Sequence, residues 1–278
     1  MVYIYIKVSE MDVLKRNNVN IIGQGKQVLM FAHGFGCDQS MWRFVTPAFE
    51  KDYKIVLFDY VGCGKSDISQ YREDRYNSLY GYALDVLEIC HELDLQDVIF
   101  VGHSVSSMIG LLASIQDQDR FRAMILVCPS ACYINKNGYI GGFEEKDLYG
   151  LMEVMENNYV GWANFLAPMV MKNLERPELA QELEESFCSM DKEITGNFAK
   201  VTFFSDNRRE LSEVKVPSLV LQCKEDDIAS EKVGEYVHNT LENSEIYYMN
   251  ATGHCPHMSH PQETIECMQK YLATIDNS

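Results

Sequence analysis

The stretch VIFVGHSVSSMIGLL, residues 98–112, places a lone serine between two apolar runs of different kinds. Val98 to Val101 is short, β-branched and apolar, the composition of a buried strand. From Ser104 onward, Met108, Ile109, Leu111 and Leu112 recur at helical spacing. Between the two runs the chain must turn within about three residues, with Gly102 at the bend. Strand, sharp turn and helix are the parts of a nucleophile elbow, which lifts a serine hydroxyl onto the rim of a sheet. The same window also fits a plain strand–helix junction with Ser104 as an ordinary N-cap. The rest of the chain has to decide between them.

Working outward, short apolar strands are predicted at 27–32, 54–59, 97–101, 122–128, 217–223 and 244–249. Helical patterns fall between them at 78–93, 104–116, 230–241 and 261–274. Strands that are apolar on both faces and separated by helices imply a mainly parallel sheet covered on both sides, an α/β fold. The alternation stops between residues 130 and 205, where the pattern is helical only. That block reads as a lid inserted in a core made of residues 1–129 and 206–278. The opening MVYIYIKVSEMDV alternates apolar and polar residues and reads as a strand. It lacks the continuous apolar region and small-residue cleavage site of a signal peptide.

A chain of 278 residues suits one large domain, or one domain with an insertion, and 46% hydrophobic residues supply a sizeable core. A formal charge of −17 argues against a nucleic-acid or anionic-membrane surface, since both would repel it. No apolar stretch reaches the ~18 residues of a membrane span. The nine cysteines include no C-x-x-C pair, and Cys90, Cys128 and Cys223 fall inside apolar runs. Such thiols act as small hydrophobes, which fits a reducing cytoplasm better than a disulfide framework.

A nucleophilic Ser104 needs a base, an acid to orient it, and donors for the oxyanion. The order serine, acid, histidine suits this kind of elbow, and the sequence after the helical block supplies both partners. Glu225, Asp226 and Asp227 follow the strand ending at Cys223, and His254 follows the strand ending at Met249. Only one of the three acids can face the imidazole. Catalytic groups in open parallel sheets gather at the carboxyl ends of strands, where these residues fall. The backbone N–H of Val105, next after the serine, is one oxyanion donor. Phe35 in FAHGFGCDQS supplies the second, with Gly34 and Gly36 permitting a sharp turn.

Two competing motifs fail. GCGKSD at 62–67 resembles the end of a phosphate-binding loop, but that loop needs glycine at position 59, which is Asp59. His254, His257 and His260 could suggest a metal site, yet Pro256 and Pro261 break any helix that would align them. No metal and no cofactor are expected. His33 and His103 flank the site, and structural hydrogen bonding suits them better than catalysis.

The motifs HGFGCDQSMW, VLFDYVGCGKSD, VGHSVSSMIGLLASI, YIGGFEEKDL, FFSDNR, VPSLVLQCKEDDIA and GHCPHMSHP fall between residues 33 and 261, within a likeness that extends from about residue 18 to 272. Together they resemble the α/β-hydrolase superfamily. More narrowly, they resemble the branch of RsbQ-like bacterial stress regulators and plant karrikin and strigolactone receptors, with GFGCDQS and HCPHMSHP favouring the bacterial side. The resemblance implies Ser104, Asp226 and His254 as a triad, Phe35 and Val105 as oxyanion donors, and a four-helix lid over an apolar pocket. It matches Phe143, Trp162, Leu166 and Phe203 to pocket-lining positions. One departure stands out. Ser106 replaces the second elbow glycine, giving G-x-S-x-S, a form that some members of the receptor branch share.

The expected function is a serine hydrolase of a small apolar ester or lactone. The bacterial resemblance adds stress signalling through a PAS-domain phosphatase. The alternative is a non-catalytic or single-turnover ligand receptor whose lid binds a protein partner.

Overall fold

The computed structural model describes residues 12–276. The strand read into the opening residues falls on 1–11, outside the described residues. The described chain opens with Asp12, which caps a short helix, α1 (Val13–Arg16). There follow β1 (Asn20–Ile22), β2 (Val28–Ala32), β3 (Lys54–Leu57), α2 (Leu79–Glu92), β4 (Val98–His103), α3 (Val105–Gln116) and β5 (Phe121–Val127). Four helices come next: α4 (Glu145–Asn157), α5 (Tyr159–Met171), α6 (Pro177–Ser189) and α7 (Lys192–Phe203). The chain ends with β6 (Ser218–Lys224), α8 (Glu231–Thr240), β7 (Ser244–Thr252), α9 (Pro256–Ser259) and α10 (Pro261–Asp276).

The strands form one sheet in the order β1-β3-β2-β4-β5-β6-β7. Among the described residues, only β1 runs antiparallel, against β3, and the remaining pairings are parallel. Parallel neighbours need long crossovers, which is why helices alternate with strands. After β2 the chain moves outward to β3, then returns to place β4 on the other side of β2. The loops leaving β2 and β4 therefore diverge, and the crevice between them is the natural ligand position of such a sheet.

Side chains alternate across the sheet into two cores. Val98 and Phe100 of β4 join a cluster with Val86, Ile109 and Leu112 of α2 and α3. Ile99 and Val101 join the opposite cluster, with Met268 and Leu272 of α10 and with Leu148, Trp162 and Leu166 of the helices between β5 and β6. Burial on both faces explains why these strands read as continuous apolar runs. Among the described residues, no helix is long and apolar enough to cross a membrane. All nine cysteines are free thiols, eight of them buried.

Phe100 is fully buried, and its ring seats on Gly110, where an added Cβ would lie 2.4 Å from Cε1. Phe100→Ala should lower the unfolding free energy by roughly 3–5 kcal/mol through lost burial and a residual cavity. Urea unfolding followed by circular dichroism checks this; a loss below about 1 kcal/mol would mean that the elbow's foundation repacks freely.

Candidate active site

The site begins with the turn from β4 into α3. Ser104 adopts φ 56° and ψ −121°, a backbone region that a side chain occupies only under constraint. Its N–H donates to the Val127 carbonyl at 2.8 Å, tying the turn to β5. Gly102 is obligatory here, because a Cβ would meet the Ser106 carbonyl oxygen at 2.6 Å. The N-cap alternative fails: Ser104 makes no side-chain capping bond to α3. Its Oγ instead lies 2.7 Å from His254 Nε2.

His254 follows β7 through Gly253, whose φ of 80° takes the chain under the end of α5. The His254 N–H donates to the Val170 carbonyl of α5 at 2.8 Å. Its Nδ1 lies 2.7 Å from Asp226 Oδ2. The other carboxylate oxygen of Asp226 accepts from the Ile228 and Ala229 N–H groups at 2.8 and 3.0 Å. Both oxygens are therefore committed, and the carboxylate cannot swing away. Glu225 and Asp227 are exposed, and Asp227 pairs with Lys172 at 2.9 Å. Of the three adjacent acids, only Asp226 meets the imidazole.

Serine, imidazole and carboxylate are all buried. Burial opposes a charge on His254, but the Asp226 carboxylate and its hydrogen bond outweigh it and raise the imidazole pKa above the ordinary value of 6.5. Cys128 Sγ also adjoins this pair, so Cys128, Asp226 and His254 hold three ligand-type atoms within 4.8 Å of one another. Asp226 is already occupied by two N–H groups and the imidazole, and the arrangement reads as a hydrogen-bond chain rather than an open coordination set. His257 packs in tilted contacts between Trp42 and His103, while His260 bonds Ser259, so these histidines do not converge with His254 on one point.

The candidate oxyanion donors sit at the diverging loops. Val105 is the first residue of α3, and Phe35 follows β2. Neither backbone N–H donates to another described residue. The peptide that presents Phe35 N–H is held by His33. The Nε2 of His33 accepts from Tyr60 N–H at 3.2 Å, so the ring proton is on Nδ1, which donates to the Gly34 carbonyl at 2.8 Å. A trans peptide points its carbonyl and N–H in opposite directions, so pinning Gly34 O also aims Phe35 N–H. His103 works on the other side, donating from Nε2 to the His254 carbonyl at 2.8 Å.

Above Ser104 lies a cavity of about 30 Å³, bordered by Phe35, Tyr133, Leu166, Phe203, Ile228 and His254. Of the four pocket positions expected from sequence, Leu166 and Phe203 line this space. Trp162 does not; it is fully buried behind Phe35 and Phe187. Phe143 faces a separate outer groove of about 490 Å³ between α4 and α5, which shares Leu166 with the cavity. Sequence reasoning missed Tyr133, whose hydroxyl lies 3.4 Å from Ser104 Oγ. Its place shortly after the carboxyl end of β5 was the available signal.

Fold and site together define a hydrolase with a Ser–His–Asp triad. The family model described as the alpha/beta hydrolase family matches residues 29–266, and the chain belongs to that family. It is 37% identical to the karrikin insensitive 2 receptor CA of Petunia hybrida, covering 92% of this chain and 95% of the relative. It is 33% identical to the strigolactone esterase D14 of Arabidopsis thaliana, covering 95% and 99%. Among solved structures, a hydrolase from Oleispira antarctica superposes with a TM-score of 0.93 at 45% identity, covering 96% of this chain and 97% of that one.

A base must be neutral to accept the serine proton, so kcat/KM should fall as pH drops through the raised His254 pKa, giving an acid limb above about 6.5. Asp226→Asn should move that limb to lower pH and cost ~10⁴ in kcat, while Asp227→Asn and Glu225→Gln stay within about twofold of wild type. Rate profiles of the three variants check this; equal, mild effects would place the acid elsewhere.

Proposed function

We propose that the protein hydrolyses a small apolar ester or lactone by acyl transfer. The observation that carries this reading is the continuous chain Ser104 Oγ–His254–Asp226, with 2.7 Å at each imidazole nitrogen, at the floor of an apolar cavity. Ser104 attacks the carbonyl carbon and His254 takes its proton. Asp226 fixes the imidazole tautomer, while the N–H groups of Phe35 and Val105 receive the negative charge on oxygen. His254 returns the proton to the leaving alcohol, and water repeats the sequence to free the acid. Leu166 and Phe203 favour an apolar substrate body, and no group in this scheme is a cofactor.

In this reading, residues 130–205 with helices α4–α7 act as a lid. A cavity of about 30 Å³ is far below the roughly 300–1,000 Å³ of ligand pockets, so substrate entry requires the lid or its side chains to yield. That closure also favours the second reading, a receptor that turns over slowly and reports its ligand through the lid. A cytoplasmic PAS-domain phosphatase of a stress pathway is the proposed partner. The motifs quoted above support it, as does the outer face of α4–α5, where Tyr149, Val154 and Phe165 are exposed beside Glu145 and Glu153.

Ser104→Ala should abolish turnover of p-nitrophenyl acetate and the acyl adduct seen by mass spectrometry, leaving only residual activity over water. Wild-type rates in that variant would sink the assignment. Glu145→Lys with Glu153→Lys should leave hydrolysis within about twofold and weaken phosphatase association at low salt. Unchanged association would remove α4 from the signalling surface.

A further inference from the structure

The elbow reads G-x-S-x-S over residues 102–106, with Ser106 where the wider pattern has a second glycine. Space alone does not account for this serine. Ser106 is fully buried, and its hydroxyl makes hydrogen bonds with the main-chain carbonyl of His33 and with Tyr60 Oη, the latter at 2.9 Å. A carbonyl only accepts, so the Ser106 proton goes to His33 and Tyr60 donates to Ser106 in turn. Burial raises the Tyr60 pKa, which keeps the phenol protonated for that role. The direction of both bonds is fixed by chemistry.

We infer that Ser106 is a positioning residue that holds the two halves of the oxyanion hole in register. The inference rests on the assignment of Ser104, Phe35 and Val105 made above. The two donors come from different loops, one after β2 and one after β4. The strand ladder joins those strands only as far as Ala32 and Gly102, and beyond that pair the loops diverge. Ser106 bridges the gap. It stands one residue after Val105 on α3, and it grips the carbonyl two residues before the Phe35 N–H.

The grip extends to the ring that orients Phe35. Tyr60 contributes its N–H to His33 Nε2 and its hydroxyl to Ser106, so one residue steadies both the His33 ring and the His33 carbonyl. Its ring also packs edge-on against His33, with centroids 5.0 Å apart. Glycine at position 106 would fit the same space but leave the buried Tyr60 hydroxyl and His33 carbonyl short of a partner. The loop carrying Phe35 would then be free to drift from α3. Oxygen charge appears only during reaction, so a shift in donor spacing is felt in the transition state far more than in substrate binding.

The test compares Ser106→Gly and Ser106→Ala with wild type, using p-nitrophenyl acetate and a trifluoromethyl ketone. The ketone adds to Ser104 and presents a tetrahedral oxyanion. Both variants should lose ~10-fold in kcat and ~10-fold in ketone affinity, with KM within about twofold and the acid limb of the pH profile unmoved. Tyr60→Phe keeps the Ser106–His33 bond and should shift kcat and ketone affinity together by only about threefold. Should a Ser106 variant fail to fold, Tyr60→Phe carries the test alone, and wild-type constants there overturn the inference. A fall in kcat with unchanged ketone affinity overturns it too, because that is a general structural defect. Wild-type constants in Ser106→Gly beside an inactive Ser104→Ala overturn this inference and leave the functional reading intact. An active Ser104→Ala overturns both.

Discussion

The backbone of Ser104 is the constraint on which the rest of the molecule depends. A residue with a side chain at φ 56° and ψ −121° carries strain of order 1–3 kcal/mol, and it stays there only where its surroundings leave no alternative. Those surroundings are explicit. A fully buried β4 leads into the turn, a nearly fully buried α3 leads out, and the Val127 carbonyl holds the serine N–H between them. Because β4 occupies the middle of the sheet, the turn it projects is flanked by the loops of β2 and β5. The strain places a hydroxyl where an imidazole from a strand two positions beyond β5 can reach it.

Phe35 joins this rigid base to the helices between β5 and β6. Its ring meets Trp162 of α5, Phe187 of α6, and Phe198 and Phe203 of α7, with centroids between 5.6 and 6.2 Å apart. Tilted and edge-on contacts of this kind contribute beyond simple burial. The residue proposed as an oxyanion donor thus anchors three helices with its side chain. In the proposed mechanism, the apolar wall of the site and one of its polar donors are two ends of one amino acid.

Much of this was legible in the sequence, for identifiable reasons. Strand β4 and helix α3 differ so sharply in periodicity that the turn at Gly102 could be located from residues alone. The acid could not be chosen locally, since Glu225, Asp226 and Asp227 offer the same chemistry side by side. The turn after β6, with Glu225 at φ 51°, is what sends Asp226 inward. Strand β1 was invisible because it spans only Asn20–Ile22 and is largely exposed, leaving no apolar alternation to read. Trp162 and Leu166 lie one helical turn apart on α5, and the family resemblance matched both to pocket-lining positions. A motif match could not distinguish Leu166, which borders the cavity, from Trp162, which packs behind it. For Ser106, the elbow pattern called for a small side chain, but its partners His33 and Tyr60 come from segments far away in the chain.

The bond from His254 N–H to the carbonyl of Val170 has a kinetic consequence. It fastens the peptide of the base to the last turns of α5, the helix that also supplies Leu166 to the cavity wall. If α5 is the element that moves to admit a ligand, its displacement pulls on the residue that must accept the serine proton. Ligand exchange and proton transfer then occupy alternate conformations, and each turnover includes two passages between them. Under that condition, the ceiling on throughput is set by how often the helix settles back, whatever the intrinsic reactivity of the ester.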